Sequence, residues 1–473
     1  MASLALMKKK IFNQIYFFLF MLLALLLPLQ KEWVVYSIGL IFLFWLLEKP
    51  WYFVIAGAYL WIIWSTQSVL LFVVGLIILL GLNELVQWLF GFGRHSHFYK
   101  LKNEPFRRNI LAFSGFYLLY ILGLSYSQNL EYASFDLEVK FSMFVFPVLL
   151  STMRKEVFKG KRFNLILVLF VIGCVVSTLV SIGVAVDNYL HSFNEEVFYY
   201  RWLSYYHHPG YLSMYLVFAI AILMWFMLKR KEFKLGLWHC IAFCFLIFYF
   251  SIIIVMLSSK AGVLSLLMVY MLLVAHIIVY EKKIIQGLVY ILLISGMLFL
   301  SFRYFSYSLN RIISYKDVVK ESMKNDANKP GEEGDRVTLW KNTLEVLKDH
   351  IIFGVGTGDV DDKLMEEYKK NKVREAYEKH LNAHNQYLQT FLSLGIAGFL
   401  ALMLVIILPA FYSLKRRNLL YVIFLLILSI NLLVESMFET QAGVVFYAFF
   451  NAFLFFSFGL KDQQNQKSFA AKF

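Results

Sequence analysis

The stretch HLNAHNQYLQTFLSLGIAG, residues 380–398, places His384, Asn385 and Gln386 at the mouth of a long apolar segment. Histidine exchanges a proton near neutral pH, so a histidine held there has the chemistry of a general base. The same side chain also serves as an interfacial residue with a wet polar tip, and position alone leaves both readings open. Asn385 adds hydrogen-bonding groups, and Gly395 and Gly398 lack the side chains that would keep another helix at a distance.

Cations occur at the same level of the chain. In MLSSKAGVLSLL, Lys260 sits between two apolar segments, as an anion-binding charge or as a snorkelling anchor. Arg336 opens an amphipathic pattern, and its guanidinium has the fork that holds a phosphate through two parallel bonds; a solvated loop arginine is the other reading. The segment YYRWLSYYHHPGYLS brings Arg201, His207 and His208 together with Tyr and Trp, a mixture that suits an interface belt and also sugar stacking and phosphate binding. Glu435 and Glu439, four residues apart in LLVESMFETQAG, either orient a base, bind sugar hydroxyls or mark the water boundary. Taken together, cations for a diphosphate, a candidate base, aromatics and carboxylates suit a lipid-diphosphate substrate carrying a glycan.

No metal centre or cofactor is expected. The run DVDD, residues 359–362, reads as a charge cluster or a helix start, and Cys174, Cys240 and Cys244 all lie inside apolar segments, where small buried hydrophobes are the ordinary explanation. The glycines of FGVGTGD, residues 353–359, lack the Lys-Ser/Thr ending of a phosphate loop and read as structural turns.

These residues must be positioned by membrane helices. The chain has 473 residues, 60% of them hydrophobic, against roughly 45–50% in soluble domains. Candidate membrane helices, about 12–14 in number, fall at 11–29, 33–47, 51–64, 68–90, 109–125, 139–153, 163–186, 211–229, 236–257, 261–280, 284–303, 387–413, 418–434 and 441–460. Lys and Arg gather in alternate connections, Lys8–Lys10, Lys100–Arg108, Arg154–Arg162, Lys229–Lys234, Lys282–Lys283, Lys415–Arg417 and the C-terminal tail. Those connections are therefore expected in the cytoplasm together with both termini, and the net charge of +14 is mostly topology, with no nucleic-acid partner implied. A retained first helix is expected as well, since its apolar run is long. The chain divides into an N-terminal bundle of about eleven helices over residues 1–303, a large external loop over 304–386, and C-terminal helices with a tail over 387–473. In the loop, residues 336–350 form an amphipathic pattern with Leu339, Thr343, Val346 and Leu347 on one face and Asp335 as N-cap.

The sequence resembles the O-antigen ligase and O-antigen polymerase superfamily of bacterial membrane glycosyltransferases. Its ligases carry a histidine followed by Asn, Ser or Gln, nine residues, then Gly-x-x-Gly, and His384, Asn385, Gly395 and Gly398 fit without a gap. A family Arg-x3-Leu motif corresponds to Lys260 and Leu264, with Lys keeping the charge and losing the bidentate fork. Arg336, Trp340, Gly354 and Gly356 are similar to the family's external loop.

The resemblance implies an all-α, GT-C-like polytopic protein of the bacterial inner membrane, with its active site facing the periplasm. It implies transfer of a glycan from undecaprenyl diphosphate to an acceptor, with lipid A-core as first choice, by an inverting route without metal or nucleotide. His384 is then the base, and Arg336, Lys260 and Arg201 hold the diphosphate. Asn385, His207, His208, Glu435 and Glu439 contact acceptor or glycan. A polymerase, a protein O-oligosaccharyltransferase and, from another class, a polytopic transporter or flippase are the competing readings.

Overall fold

The computed structural model describes residues 2–48, 75, 109–304 and 336–470, and within them every regular element is a helix. The expected segments 51–64 and 68–90, and the start of the external loop with Asp335, lie outside the described residues. The labelled helices are α1 (Ala2–Leu26), α2 (Lys31–Glu48), α3 (Asn109–Gly123), α4 (Leu130–Lys140), α5 (Ser142–Thr152), α6 (Lys161–Ser192), α7 (Tyr200–Leu203), α8 (Pro209–Leu228), α9 (Leu237–Met256), α10 (Lys260–Ala275) and α11 (Ile284–Tyr304). They continue with α12 (Arg336–Lys348), α13 (Val360–Lys370), α14 (Arg374–Glu378), α15 (Gln386–Lys415), α16 (Leu419–Val434) and α17 (Gln441–Ala470).

The protein is an all-α polytopic membrane protein. Met7–Leu26, Lys161–Ser192, Pro209–Leu228, Leu237–Met256, Lys260–Tyr280 and Gln386–Lys415 are each long and apolar enough to cross a membrane. Shorter apolar helices, among them Ala112–Tyr126 and Leu419–Val434, accompany them. The segment expected at 139–153 is divided instead, with α4 ending at the buried Lys140 and α5 starting at Ser142.

Helix α8 is the centre of the bundle. It is apolar on every face, the composition of a helix surrounded by others, and it packs against α6, α9, α10 and α16. Phe170, Phe218, Phe424, Phe446 and Phe450 interlock around it, with edge-on Phe218–Phe450 and Phe170–Phe450 centroids 4.8 and 4.9 Å apart. Pro147 inside α5 and Pro409 inside α15 are accommodated within their helices.

The described part of the long connection between α11 and α15, helices α12 to α14, has its own small core. Leu339, Val346, Val355, Leu364 and Tyr368 pack together with Leu392 of α15. The carboxylate of Asp359 accepts the backbone N–H groups of Gln128 and Asn129, the latter at 2.7 Å, which ties the start of α13 to the connection between α3 and α4. DVDD therefore starts a helix: Asp359 precedes α13, and Asp361 and Asp362 lie in its first turn.

The glycines of FGVGTGD meet those of the His-Asn motif. Helix α15 is interrupted at Gly395, whose φ of 62° lies in the left-handed region. Into that break runs the 351–356 backbone, with Val355 N–H donating to Leu392 O at 2.8 Å and Ile396 N–H to Ile351 O at 2.9 Å. A Cβ on Gly395 would stand 2.2 Å from Ile352 O. The close approach at Gly395 is thus made by a loop backbone, where the sequence suggested a second helix.

Candidate active site

Helix ends deliver the polar groups to one cleft. His208 is the N-cap of α8, its Nδ1 accepting from Gly210 N–H at 3.3 Å, with Pro209 at the first helical position. Ser259 caps α10 by accepting from Gly262 N–H at 3.2 Å, which sets Lys260 at the first position of that helix. Arg336 is in α12, and Glu435 ends α16 in an extended conformation with φ −151°. Tyr200, His208, Lys260, Arg336, Asn431 and Glu435 line the same cleft. The sequence separation between Tyr200 and Glu435 shows how much of the chain builds it.

His384 stands beside this cleft. Its Nδ1 lies 3.1 Å from Glu435 Oε1, and the two side chains keep 28% and 23% exposure. A carboxylate only accepts, so Nδ1–H donates to Glu435, and in the neutral form of the ring the lone pair is then on Nε2. Burial pushes the Glu435 carboxyl up, but the hydrogen bond from His384 and the charges of His384, Arg336 and His208 together outweigh it and hold the group below its ordinary value of 4.5.

The backbone around His384 is held tightly. His384 itself has φ 42°, a left-handed conformation that non-glycine residues adopt at a cost of about 1–2 kcal/mol. Its N–H donates to Asn382 Oδ1 at 2.9 Å. Next along, Asn385 N–H donates to Ser436 Oγ at 3.2 Å, while its own Oδ1 accepts from Tyr387 and Leu388 N–H as the N-cap of α15. Gln386 Oε1 accepts from Phe438 N–H at 2.6 Å. Residues 384–386 and 435–438 therefore run side by side, joined in order by His384–Glu435, Asn385–Ser436 and Gln386–Phe438.

The other sequence candidates are distributed differently. Arg201 is exposed in α7, its guanidinium 5.6 Å from the ring centroid of Tyr200, one residue from the cleft wall. His207 is turned into the core, its ring 5.4 Å from that of Tyr215, and burial pushes its pKa down to about 4. Asn385 is occupied as a helix cap and Glu439 as the partner of Lys140, at 2.8 Å. The cleft lining thus holds Lys260, Arg336, His208 and Glu435, with His384 joined to it through Glu435, and leaves out Arg201, His207, Asn385 and Glu439. Sequence reading missed Asp136 and Lys140, although their i, i+4 acid and base spacing ahead of an apolar run was visible. Among the described residues no group of three or more His, Cys, Asp or Glu has an arrangement that could hold a metal ion.

Residues 245–403 match the model of a family described as O-antigen ligase. The span includes Lys260, Arg336 and His384 and excludes Tyr200, His208 and Glu435. The match supports the O-antigen ligase and polymerase resemblance carried by the His384 and Lys260 motifs. Over 138 residues the chain is 30% identical to an uncharacterized protein of Haemophilus influenzae, covering 29% of this chain and 34% of that relative. The similarity therefore spans about a third of the relative's length.

Proposed function

We propose, taking the O-antigen ligase match as premise, that the protein transfers a glycan from undecaprenyl diphosphate to a hydroxyl of an acceptor, lipid A-core in the first instance, on the periplasmic side of the bacterial inner membrane. The observation that carries this is the His384–Glu435 pair, 3.1 Å apart, at a cleft lined by Lys260 and Arg336.

Nε2 of His384 takes the proton of the acceptor hydroxyl as its oxygen attacks the anomeric carbon. The bond from that carbon to the diphosphate oxygen breaks, with inversion at the carbon. Lys260 and Arg336 neutralise the charge that builds on the departing diphosphate, and Glu435 stabilises the imidazolium that forms. Arg201, beside Tyr200, meets the donor further from the reacting atoms. Asn385 and Glu439 shape the loop, and His207 acts in packing.

A transporter is less well served by this arrangement. Transport sites sit in broken helices near the bilayer midplane, whereas Lys260, His208 and Glu435 all sit at helix ends. Basic residues Lys9, Lys10, Lys159 and Arg162 gather in a separate groove at the start of α6, the end away from the cleft. That arrangement agrees with a cytoplasmic face there and a periplasmic cleft.

The test is a gel of surface glycolipids from cells lacking the protein, beside cells restored with the wild type or with His384→Ala. Polymer retained on undecaprenyl diphosphate over bare lipid A-core in the deletion and His384→Ala strains supports the ligase. Lipid A-core carrying single repeats indicates a polymerase, and transfer restored by His384→Ala rejects the histidine as base.

A further inference from the structure

A wholly buried lysine lies behind the candidate site with no part in the proposed chemistry. Lys140, at the end of α4, is ion-paired with Asp136 one turn earlier, and its Nζ lies 2.8 Å from Glu439 Oε2 and 4.8 Å from the centroid of the Tyr120 ring. The other oxygen of Glu439, Oε1, accepts from Gln386 Nε2 at 3.2 Å. Gln386 Nε2 also reaches Thr390 Oγ1 at 3.1 Å, and Thr390 Oγ1 lies 3.2 Å from the Tyr120 hydroxyl. One cation therefore closes a ring of polar contacts through α3, α4, α15 and the 436–440 turn.

Burying a lysine and two carboxylates carries a large desolvation penalty, and such a cluster is often no more stabilising than an apolar replacement. What it supplies is geometry. Glu439 fixes Gln386, Gln386 binds Phe438 N–H, and Asn385 binds Ser436; the next residues in that register are His384 and Glu435. His384 also holds a left-handed backbone that relaxes unless its surroundings enforce it.

We infer that Lys140 is a positioning residue: by anchoring Glu439 it sets the register of the 435–439 turn against residues 384–386 and so holds His384 on Glu435. This rests on the reading of His384 as the base, and it assigns a task to residues outside the span matched by the family.

The first measurement is a double-mutant cycle on transfer by the purified full-length protein in detergent, with its lipid-linked donor. Lys140→Met is expected to lower kcat about 10- to 100-fold, the scale of a small misplacement of a reacting group, with donor KM unchanged within about 2-fold. In a His384→Ala background the same substitution is expected to cost nothing further. An equal fold-loss in both backgrounds, or an undiminished kcat, overturns the inference, because a general structural defect acts whether or not His384 is present. If Lys140→Met does not fold, Glu439→Gln, of the same shape, is put through the same cycle with the same expectations.

A second readout needs no activity. Carbethoxylation of His384, followed by mass spectrometry relative to the exposed His380, is expected to quicken several-fold in Lys140→Met or Glu439→Gln, and likewise in the control Glu435→Gln, because the ring loses its anchoring partner. An unchanged rate in the first two variants overturns the positioning role. Full transfer by His384→Ala alone would remove the base assignment, while the carbethoxylation rates would still report on the register.

Discussion

His384 and Glu435 face each other across two chain turns that are 51 residues apart, Nδ1 to Oε1 at 3.1 Å. The pairing has a direction, since the carboxylate can only accept, and it leaves the imidazole with a single basic nitrogen. If that nitrogen takes the acceptor proton, His384→Ala lowers transfer about 10²- to 10⁴-fold. Glu435→Gln, which keeps the shape and removes the charge, lowers it by up to about 10⁴-fold through the wrong tautomer and an unstabilised imidazolium. Steady-state transfer with saturating donor, for the two variants separately and combined, measures this; the combined loss is expected to be close to that of His384→Ala alone.

Lys260 and Arg336 line one cleft, and in the proposed reaction they serve the same anion. Lys260→Met and Arg336→Gln are each expected to cost about 10²- to 10³-fold in kcat/KM, the usual effect of removing one donor from a developing anion. Lys260→Arg keeps the charge and adds a planar fork, so it retains most of the activity, whereas Arg336→Lys loses the bidentate contact and falls below wild type. Activity in Lys260→Met equal to wild type would take that lysine out of diphosphate binding.

The Glu435 carboxyl is held below its ordinary value of 4.5. A carboxylate with a depressed folded-state pKa gives its full contribution above the ordinary value and loses it as the pH falls through the folded one. Glu435's contribution to stability is therefore present above its ordinary value of 4.5 and is lost as the pH falls through its lower folded value. Thermal unfolding in detergent between pH 6 and pH 3 should show a downward step for wild type at the acid end that is smaller in Glu435→Gln.

His207 titrates in a different window. Its pKa lies at about 4 against an ordinary 6.5, because burial disfavours the charged ring. The neutral ring is the stable form, so about 3 kcal/mol of stability is present above pH 6.5 and drains away as the pH falls toward 4. His207→Phe removes this dependence, and comparing its unfolding temperature with wild type at pH 7 and pH 5 reads the difference. Equal pH slopes in the two proteins would place the titration elsewhere.

At Gly395 the demand is steric. Any side chain there adopts a φ of 62° and drives its Cβ to 2.2 Å from Ile352 O. Gly395→Ala is expected to destabilise by about 3 kcal/mol or more, while Gly183→Ala, with open space around it, stays close to wild type. Unfolding temperature and the fraction recovered as monodisperse protein both measure this.

The apolar segments were legible because membrane helices announce themselves by length, Lys260 and His384 because polar groups beside such segments stand out, and Arg336 because it opens an amphipathic pattern. The relation between Glu435 and Glu439 was not. Four residues apart, they read as neighbours on one helical face, but α16 ends at Val434, Glu435 is extended, and Glu439 closes a short 3-10 turn. One carboxylate turns to His384 and the other to Lys140. The Lys140–Glu439 contact spans 299 residues, a distance over which no local pattern carries information. His207 and His208 looked equivalent in sequence, and the helix start at Pro209 separates them, one into the core and one onto the cleft wall.

The cleft is also polarised by main chain. The first turns of α8 and α10 open into it at Gly210 and at Ser259–Ala261, and the last turn of α16 ends there at Val434 and Glu435. Unsatisfied N–H groups give each helix start roughly half a positive charge, and the carbonyls give the helix end roughly half a negative one. A permanent field thus runs from the Lys260 side, where an anion is welcomed, toward Glu435, where a protonated ring is. It has no pKa and survives every side-chain replacement, so even a double variant at Lys260 and Arg336 would retain a bias in which way round a charged ligand lies.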